Sequence, residues 1–424
     1  MAGAPALFIV VLNATEAAAD AAHRANTALA RALGERARAA LRVADEPAIT
    51  LLSGVVLDSG RAGRDLVGDV LLIDRATPGM RLPAGQGVGL ARRIGCDVAL
   101  CLHRAGVVTS RWIHTTDADV ILPARYFPAA VEVPPDSVAL TYPFWHQARD
   151  SRALGLYELS LRYYVLGLAW AGSPYARHTI GSTLAVDCQA YGAVRGVPRR
   201  QAGEDFYLIN KLTKLGPISR PRVEPIQIRA RHSTRVPFGT GPATRRIARD
   251  LAAGSGFHLY HPHSFVALRC WLEAVAAFAR CPDSDPRSLV ASRLAAAHAD
   301  RVLDLAPAVL EGLAAFEALR EASRRTRSRL ALTRRLHGWF DAFRTLKLIH
   351  RLRDAGLADR PWRDAWRRAP FAAGMDLDRG LDRSLDPQRG IDRGLDDLRG
   401  LDDLRRHAFD LEIGCRAAGR PVIR

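Results

Sequence analysis

The sequence predicts an α/β domain over residues 1–250 with a Rossmann-like, mostly parallel sheet, then an all-helical extension over 251–370 and a low-complexity tail over 371–424. Three observations lead there. The first half alternates short apolar runs with longer helical stretches, as crossovers between parallel strands require. Beyond about residue 250 only helical periodicity remains, as in HSFVALRCWLEAVAAFAR, SLVASRLAAAHADRVLDLA and RRLHGWFDAFRTLKLIHRLRD. From Asp376 to Arg406 the chain repeats Leu-Asp-Arg-Gly in slipped register, with 9 Asp balanced by 7 Arg. Such a repeat can bury little apolar surface, so disorder or a frayed appendage is expected there.

Taken in order, Leu7 to Leu12 (LFIVVL) reads as a central strand and the alanine-rich stretch from Thr15 to Ala44 as a helix. ITLLSGVV and LVGDVLLID supply two more strands, the second ending on Asp74. A Pro/Gly-rich loop leads to GVGLARRIGCDVALCLHRAG, a helix, and then to VVTSRWIHTT, a strand that stops at Asp117. Leu154 to Tyr164 reads as a helix, SPYARHTIGSTLAVD as a loop entering a strand, and YGAVRG as helical. The loop VPRRQAG precedes a helix opening on Glu204 and Asp205, and PRVEPIQIRAR closes the series as a last strand.

Composition narrows the class. No run of about 18 uncharged apolar residues occurs, and the apolar opening ALFIVVLNA lacks a basic leader and a small-residue cleavage signature, so a soluble protein without a signal peptide is expected. The six cysteines at 96, 101, 188, 270, 281 and 415 have no zinc-site spacing and read as reduced thiols. The net charge is +17, and residues 321–370 hold 14 Lys/Arg against 5 Asp/Glu. That excess points to solvated helix faces or to a phosphate-rich or acidic-lipid surface.

The residues suited to chemistry are acidic. Asp117 and Asp119 lie where a strand ends, the position at which ligands of open α/β sheets collect. Carboxylates two apart on an extended or turning chain can share one divalent cation, and Mg²⁺ takes one or two carboxylates together with substrate phosphate oxygens. Glu204 and Asp205 open a helix, where acidic residues complement the helix dipole and where one carboxylate could serve as a general base. His232, in RHSTRVPFGTG, could ligate a metal or contact phosphate, with Arg231 and Arg235 beside it. The glycines of GQGVGLARRIG put free amides at a helix start, a setting that attracts phosphate.

In this order the pieces resemble a glycosyltransferase of the GT-A fold, similar to the family 2 enzymes, over residues 5 to 245. The motifs that carry the resemblance are Asp74 in LLIDRATPG, Gly87 to Gly95 (GVGLARRIG), Asp117 and Asp119 in TTDADVILP, and Glu204/Asp205 in AGEDF. The resemblance implies that Asp74 contacts the base of a nucleotide sugar and that Gly87 and Arg92 lie beside the nucleotide pocket. It implies that Asp119, assisted by Asp117 and His232, holds Mg²⁺ or Mn²⁺ on the donor diphosphate. Asp205 would then be the base in an inverting attack by a hydroxyl acceptor, with Glu204 positioning it. The acceptor stays open among a glycan, a lipid-linked sugar and a small metabolite. The expected setting is cytoplasmic, with residues 321–370 facing an acidic membrane surface and nucleic acid not favoured as a partner. Two alternatives stand beside this reading: a sugar-phosphate nucleotidyltransferase, which calls for a Gly-rich basic loop after the first strand, and a non-catalytic protein binding a polyanion or membrane surface through its basic helices.

Overall fold

A computed structural model describes residues 6–57, 66–148, 151–200, 202–229, 239–326, 328–372 and 398–417. It is a mixed α/β structure followed by helices. The first sheet holds β1 (Leu7–Asn13), β2 (Ala39–Val43), β3 (Glu46–Leu57) and β4 (Leu66–Arg75) in the order β1-β4-β3-β2, with helix α1 (Asp20–Glu35) between the first two strands. β1 and β4 run parallel with Leu12 opposite Asp74, whereas β3 is antiparallel to both β4 and β2. The mostly parallel expectation therefore fails in this sheet.

The cause is local. Ala39 to Val43, expected as the end of a helix, pairs with β3 as an edge strand whose residues are all exposed. Ala, Leu and Arg favour helix, and no apolar alternation marks a strand here, so pairing with the neighbouring backbone overrides propensity. The helix stops at Glu35, and the Arg38 amide already donates to the Ser53 carbonyl at 2.9 Å.

Helix α2 (Gly87–Arg104) packs against both β1 and β5 (Trp112–Thr115), tying the first sheet to the strands beyond it. β5 is shorter than VVTSRWIHTT implied. After it come β6 (Val120–Ile121), α3 (Pro128–Val131), β7 (Ala139–Thr141), β8 (Phe144–Gln147), α4 (Arg152–Trp170), β9 (Leu184–Asp187), α5 (Cys188–Ala193), α6 (Glu204–Thr213), β10 (Ile218–Ser219) and β11 (Ile226–Arg229). The second sheet has the order β10-β7-β9-β5, with β9 antiparallel to both β7 and β5. The third has the order β6-β11-β8, parallel only between β11 and β8. Short strands ending at loops thus set the chain around Asp117, and β11 begins to pair immediately after it: the Arg229 amide donates to the Asp119 carbonyl at 2.9 Å.

The largest apolar core lies in the helices. It joins α4 to α7 (Thr240–Ala252), α8 (Pro262–Arg280), α9 (Pro286–Ala296), α10 (Leu305–Gly312), α11 (Ala315–Arg325), α12 (Arg329–Trp339), α13 (Ala342–Asp354), α14 (Trp362–Arg367) and α15 (Leu398–Ala417). α4 runs longer than Leu154 to Tyr164, starting at a Ser151 cap whose hydroxyl accepts from the Leu154 amide, and it is apolar nearly all round because helices cover it on several sides. A Cβ on Gly167 would overlap the Phe265 ring, so this glycine lets α8 close on α4. Burying a phenylalanine this completely contributes about 1.5–3 kcal/mol.

The tail differs from expectation. Residues 398–417 form helix α15 against α4, with Leu401, Leu404 and Ala408 in the core. Balanced Asp and Arg hide an apolar stripe at helical spacing, and one of those arginines, Arg405, is itself fully buried. No helix among the described residues is long and apolar enough to cross a membrane.

Candidate active site

The site is assembled from three separated segments. Gly203, left-handed at φ 73°, turns the chain into α6 so that Glu204 and Asp205 fall in its first turn. Gly89 in α2 packs where a Cβ would overlap the Arg200 carbonyl, which seats the loop before α6 on the start of α2. Arg92, one turn farther along α2, then reaches both the end of β5 and the head of α6.

Arg92 is the hub. One arm of its guanidinium bonds the Glu204 carboxylate, and the other donates to Asp117 Oδ1 at 2.7 Å. Its side chain is 9% exposed and that of Glu204 4%, so this pair is screened little by water. Burial works against the Arg92 charge, but Asp117, Glu204 and Asp205 together outweigh it and raise its pKa.

Asp205 makes different contacts from Glu204. Its carboxylate accepts from the Phe206 amide at 2.7 Å, and the Gly181 amide lies near enough to lower its pKa. Burial first, and the neighbouring Glu204 charge second, push its pKa up to about 6, against the lowering effects of Arg92 and the two amides. Glu204 is bonded to Arg92, and Asp205 beside it is held nearer neutrality, the range in which a general base works.

Gly181 was not singled out from sequence, yet it holds this arrangement from behind. A Cβ there would overlap the Arg92 guanidinium, and its carbonyl accepts from Thr115 Oγ1 at 2.7 Å. Tyr157 and Thr240, also missed, lie beside each other, with Tyr157 within electrostatic range of Asp205. The signals available were glycines in HTIGST and PFGTG, which sequence periodicity does not weigh.

No family model, no curated protein and no solved structure matches this chain.

The remaining candidates divide. Asp117, half-buried, is in the cluster through Arg92, whereas Asp119 is fixed by its backbone to β11. Asp74 joins none of these contacts. It ends β4 as expected, but Oδ1 accepts from the Ala76 and Thr77 amides at 2.9 and 3.0 Å and Oδ2 from the Thr77 hydroxyl at 2.5 Å. Burial opposes ionisation of Asp74, but the Thr77 hydroxyl and the two amides outweigh it and hold its carboxyl below the usual range. Gly87 is the first residue of α2, after a Gln86 cap that makes no side-chain bond. His232 lies outside the described residues.

Among the described residues no group of three or more His, Cys, Asp or Glu side chains is arranged to hold a metal. Two carboxylates are nevertheless enough for a Mg²⁺ or Mn²⁺ that takes its remaining ligands from a diphosphate and water. Asp117, Glu204 and Asp205 all act electrostatically on the Arg92 guanidinium. A divalent cation at this place would draw on Asp117 and Asp119, two residues apart after β5.

Proposed function

We propose that this protein is a metal-dependent glycosyltransferase that moves a sugar from a nucleotide-diphosphate sugar to a hydroxyl acceptor. The observation that carries the reading is the convergence on Arg92 of Asp117, at the end of β5, and of the acidic pair that opens α6. Those are three of the motifs on which the resemblance to GT-A enzymes rests, brought together across 112 residues of sequence.

In this reading Asp119 and Asp117 hold Mg²⁺ or Mn²⁺, which when bound offsets charge on the departing diphosphate. Arg92 fixes Glu204 and Asp117 in place. Asp205 takes the proton of the acceptor hydroxyl as it attacks the anomeric carbon, which favours an inverting outcome. Asp74 is assigned to the donor base by resemblance alone, and its bonds to Ala76 and Thr77 leave it the task of shaping the loop after β4. The nucleotidyltransferase alternative finds no support at the turn after β1, where VVLNATEAAADAA offers neither the glycines nor the positive charge such an enzyme uses on triphosphates.

The acceptor side is assigned to the helical extension. Asp341, the cap of α13, bonds Asn210 at 3.0 Å and Lys214 at 2.6 Å, both near the C-terminal end of α6. Nearby in sequence, Arg324, Arg329, Arg334, Arg335 and Lys347 are exposed, and α12 contains no acidic residue. A peripheral contact with an acidic membrane surface fits this face, with the protein on the cytoplasmic side.

Calorimetric titration with nucleoside diphosphates, with and without Mn²⁺, tests the donor assignment. Binding that needs the metal and is lost in Asp119→Ala supports it; metal-independent binding of equal strength in both proteins removes the metal role.

A further inference from the structure

The buried charges that the proposed chemistry does not use lie between α15, α4, β8 and the segment leading to Gly181. Glu158 Oε1 accepts from Arg162 at 2.6 Å, and Glu158 Oε2 bonds the His146 amide, the His146 ring and Arg405 at 2.7, 2.9 and 2.8 Å. Glu412 on α15 bonds Arg162 at 3.2 Å and, through its other oxygen, His178 Nε2 at 2.9 Å, with Arg220 at 3.5 Å. Glu158, Arg162, Arg405 and Glu412 are all within 2% of complete burial. Aromatic faces close the space: Arg162 lies over Phe144 and Phe409, and Arg405 over Trp145.

Ionic groups this deeply buried must be paired, because desolvation makes an orphan costly. α15 supplies two of the required partners, Arg405 and Glu412, so a helix drawn from a repetitive tail is built into the fold. The second of them also reaches toward the site. His178 stands edge-on to Phe144, with ring centroids 4.9 Å apart, and lies three residues before Gly181. Gly181 is the residue whose missing side chain admits Arg92, whose carbonyl accepts from Thr115 Oγ1 at 2.7 Å, and whose amide lies near Asp205.

We propose that Glu412 is a positioning residue for the candidate site: by holding His178 it fixes the segment 178–183, and so the Gly181 amide, against Asp205. This rests on the assignment of Asp205 made above. Glu412 acts from α15 through its bond to His178, so the effect is on placement and not on the reacting atoms.

The test compares Glu412→Gln with Leu401→Ala, which loosens α15 at its other end without touching His178. Amide hydrogen exchange over 178–183 reads the proposed effect without any donor present. Loss of one charge-assisted bond should speed exchange at Gly181 by at least about tenfold in Glu412→Gln. Leu401→Ala should lower the melting temperature while leaving that exchange unchanged. If a donor turns over, Glu412→Gln should lower kcat and leave the donor KM as in the native protein. Native exchange rates in Glu412→Gln, or equal acceleration in Leu401→Ala, would overturn the proposal. If Glu412→Gln does not fold, His178→Phe keeps the ring on Phe144, leaves Glu412 paired with Arg162 and Arg220, and must give the same acceleration. Failure of the glycosyltransferase reading would appear as absent donor binding with the exchange result intact, whereas failure of this proposal leaves donor binding intact.

Discussion

Replacing Arg92 with methionine removes the one cation that Glu204, Asp117 and Asp205 share, with little change in side-chain volume. Arg92 and Glu204 have side chains 9% and 4% exposed, so the Glu204 carboxylate it leaves behind cannot be rehydrated without opening the junction of α2 and α6. Removing one partner of a buried pair costs about 3–5 kcal/mol, a large share of a domain stability of about 5–15 kcal/mol. The loss must also depend on pH. In the native protein Asp205 is raised from 3.8 to about 6. Between those values the folded state binds more protons than the unfolded state, so stability falls as pH rises through that window, by about 3 kcal/mol at 1.36 kcal/mol per pH unit. Arg92 lowers the Asp205 pKa, so its removal raises it further and extends the window upward. Denaturant unfolding of Arg92→Met should therefore show its greatest deficit at pH 7 and a smaller one at pH 5, where the carboxyl is protonated in the folded state. A deficit that is absent, or equal at both pH values, would refute the shared-cation picture of the site.

Three further outcomes derive from the same geometry. With a working donor and acceptor, kcat should rise with pH through a value near 6 as Asp205 ionises, and Asp205→Asn should abolish that dependence along with turnover; a flat profile from pH 5 to 8 in the native protein removes Asp205 as the base. Gly89→Ala forces a Cβ onto the Arg200 carbonyl, and since backbone cannot swing aside like a side-chain tip, chemical denaturation should show a loss of about 1–3 kcal/mol. Sedimentation with vesicles containing anionic lipid should show binding that weakens at least about tenfold in the Arg334→Glu/Arg335→Glu protein, given about 1 kcal/mol for each basic residue near such a surface; unchanged partitioning assigns those arginines to plain solvation.

The acidic motifs were legible in the sequence because each lies at the boundary of an element, and boundaries are where periodicity ends. Asp74, Asp117 and Glu204 all fall where the alternation of strands and helices placed them. What the sequence could not show was the connection between them. Arg92 sits on α2 among arginines that composition makes ordinary, and only the overlap with Gly181 and the bonds to Glu204 and Asp117 set it apart. The antiparallel β2 was hidden by residues of helical propensity on an exposed edge. α15 was hidden by a repeat whose charges look solvated, although Arg405 is paired inside the protein with Glu158. Local pattern reports solvent exposure by default, and it fails where charged side chains find buried partners distant in sequence.

Arg92, Asp117, Glu204 and Asp205 form the proposed site of a metal-dependent sugar transfer. Its most direct test is nucleoside diphosphate release from a panel of nucleotide sugars, with Mn²⁺ or Mg²⁺, by the native protein, Asp119→Ala and Asp205→Asn. The native protein should bind and slowly hydrolyse, or with acceptor transfer from, at least one donor only when metal is present, and Asp119→Ala should lose donor binding while Asp205→Asn keeps binding and loses turnover. Failure of every donor to bind the native protein with either metal, or release by Asp119→Ala at the native rate, would contradict it.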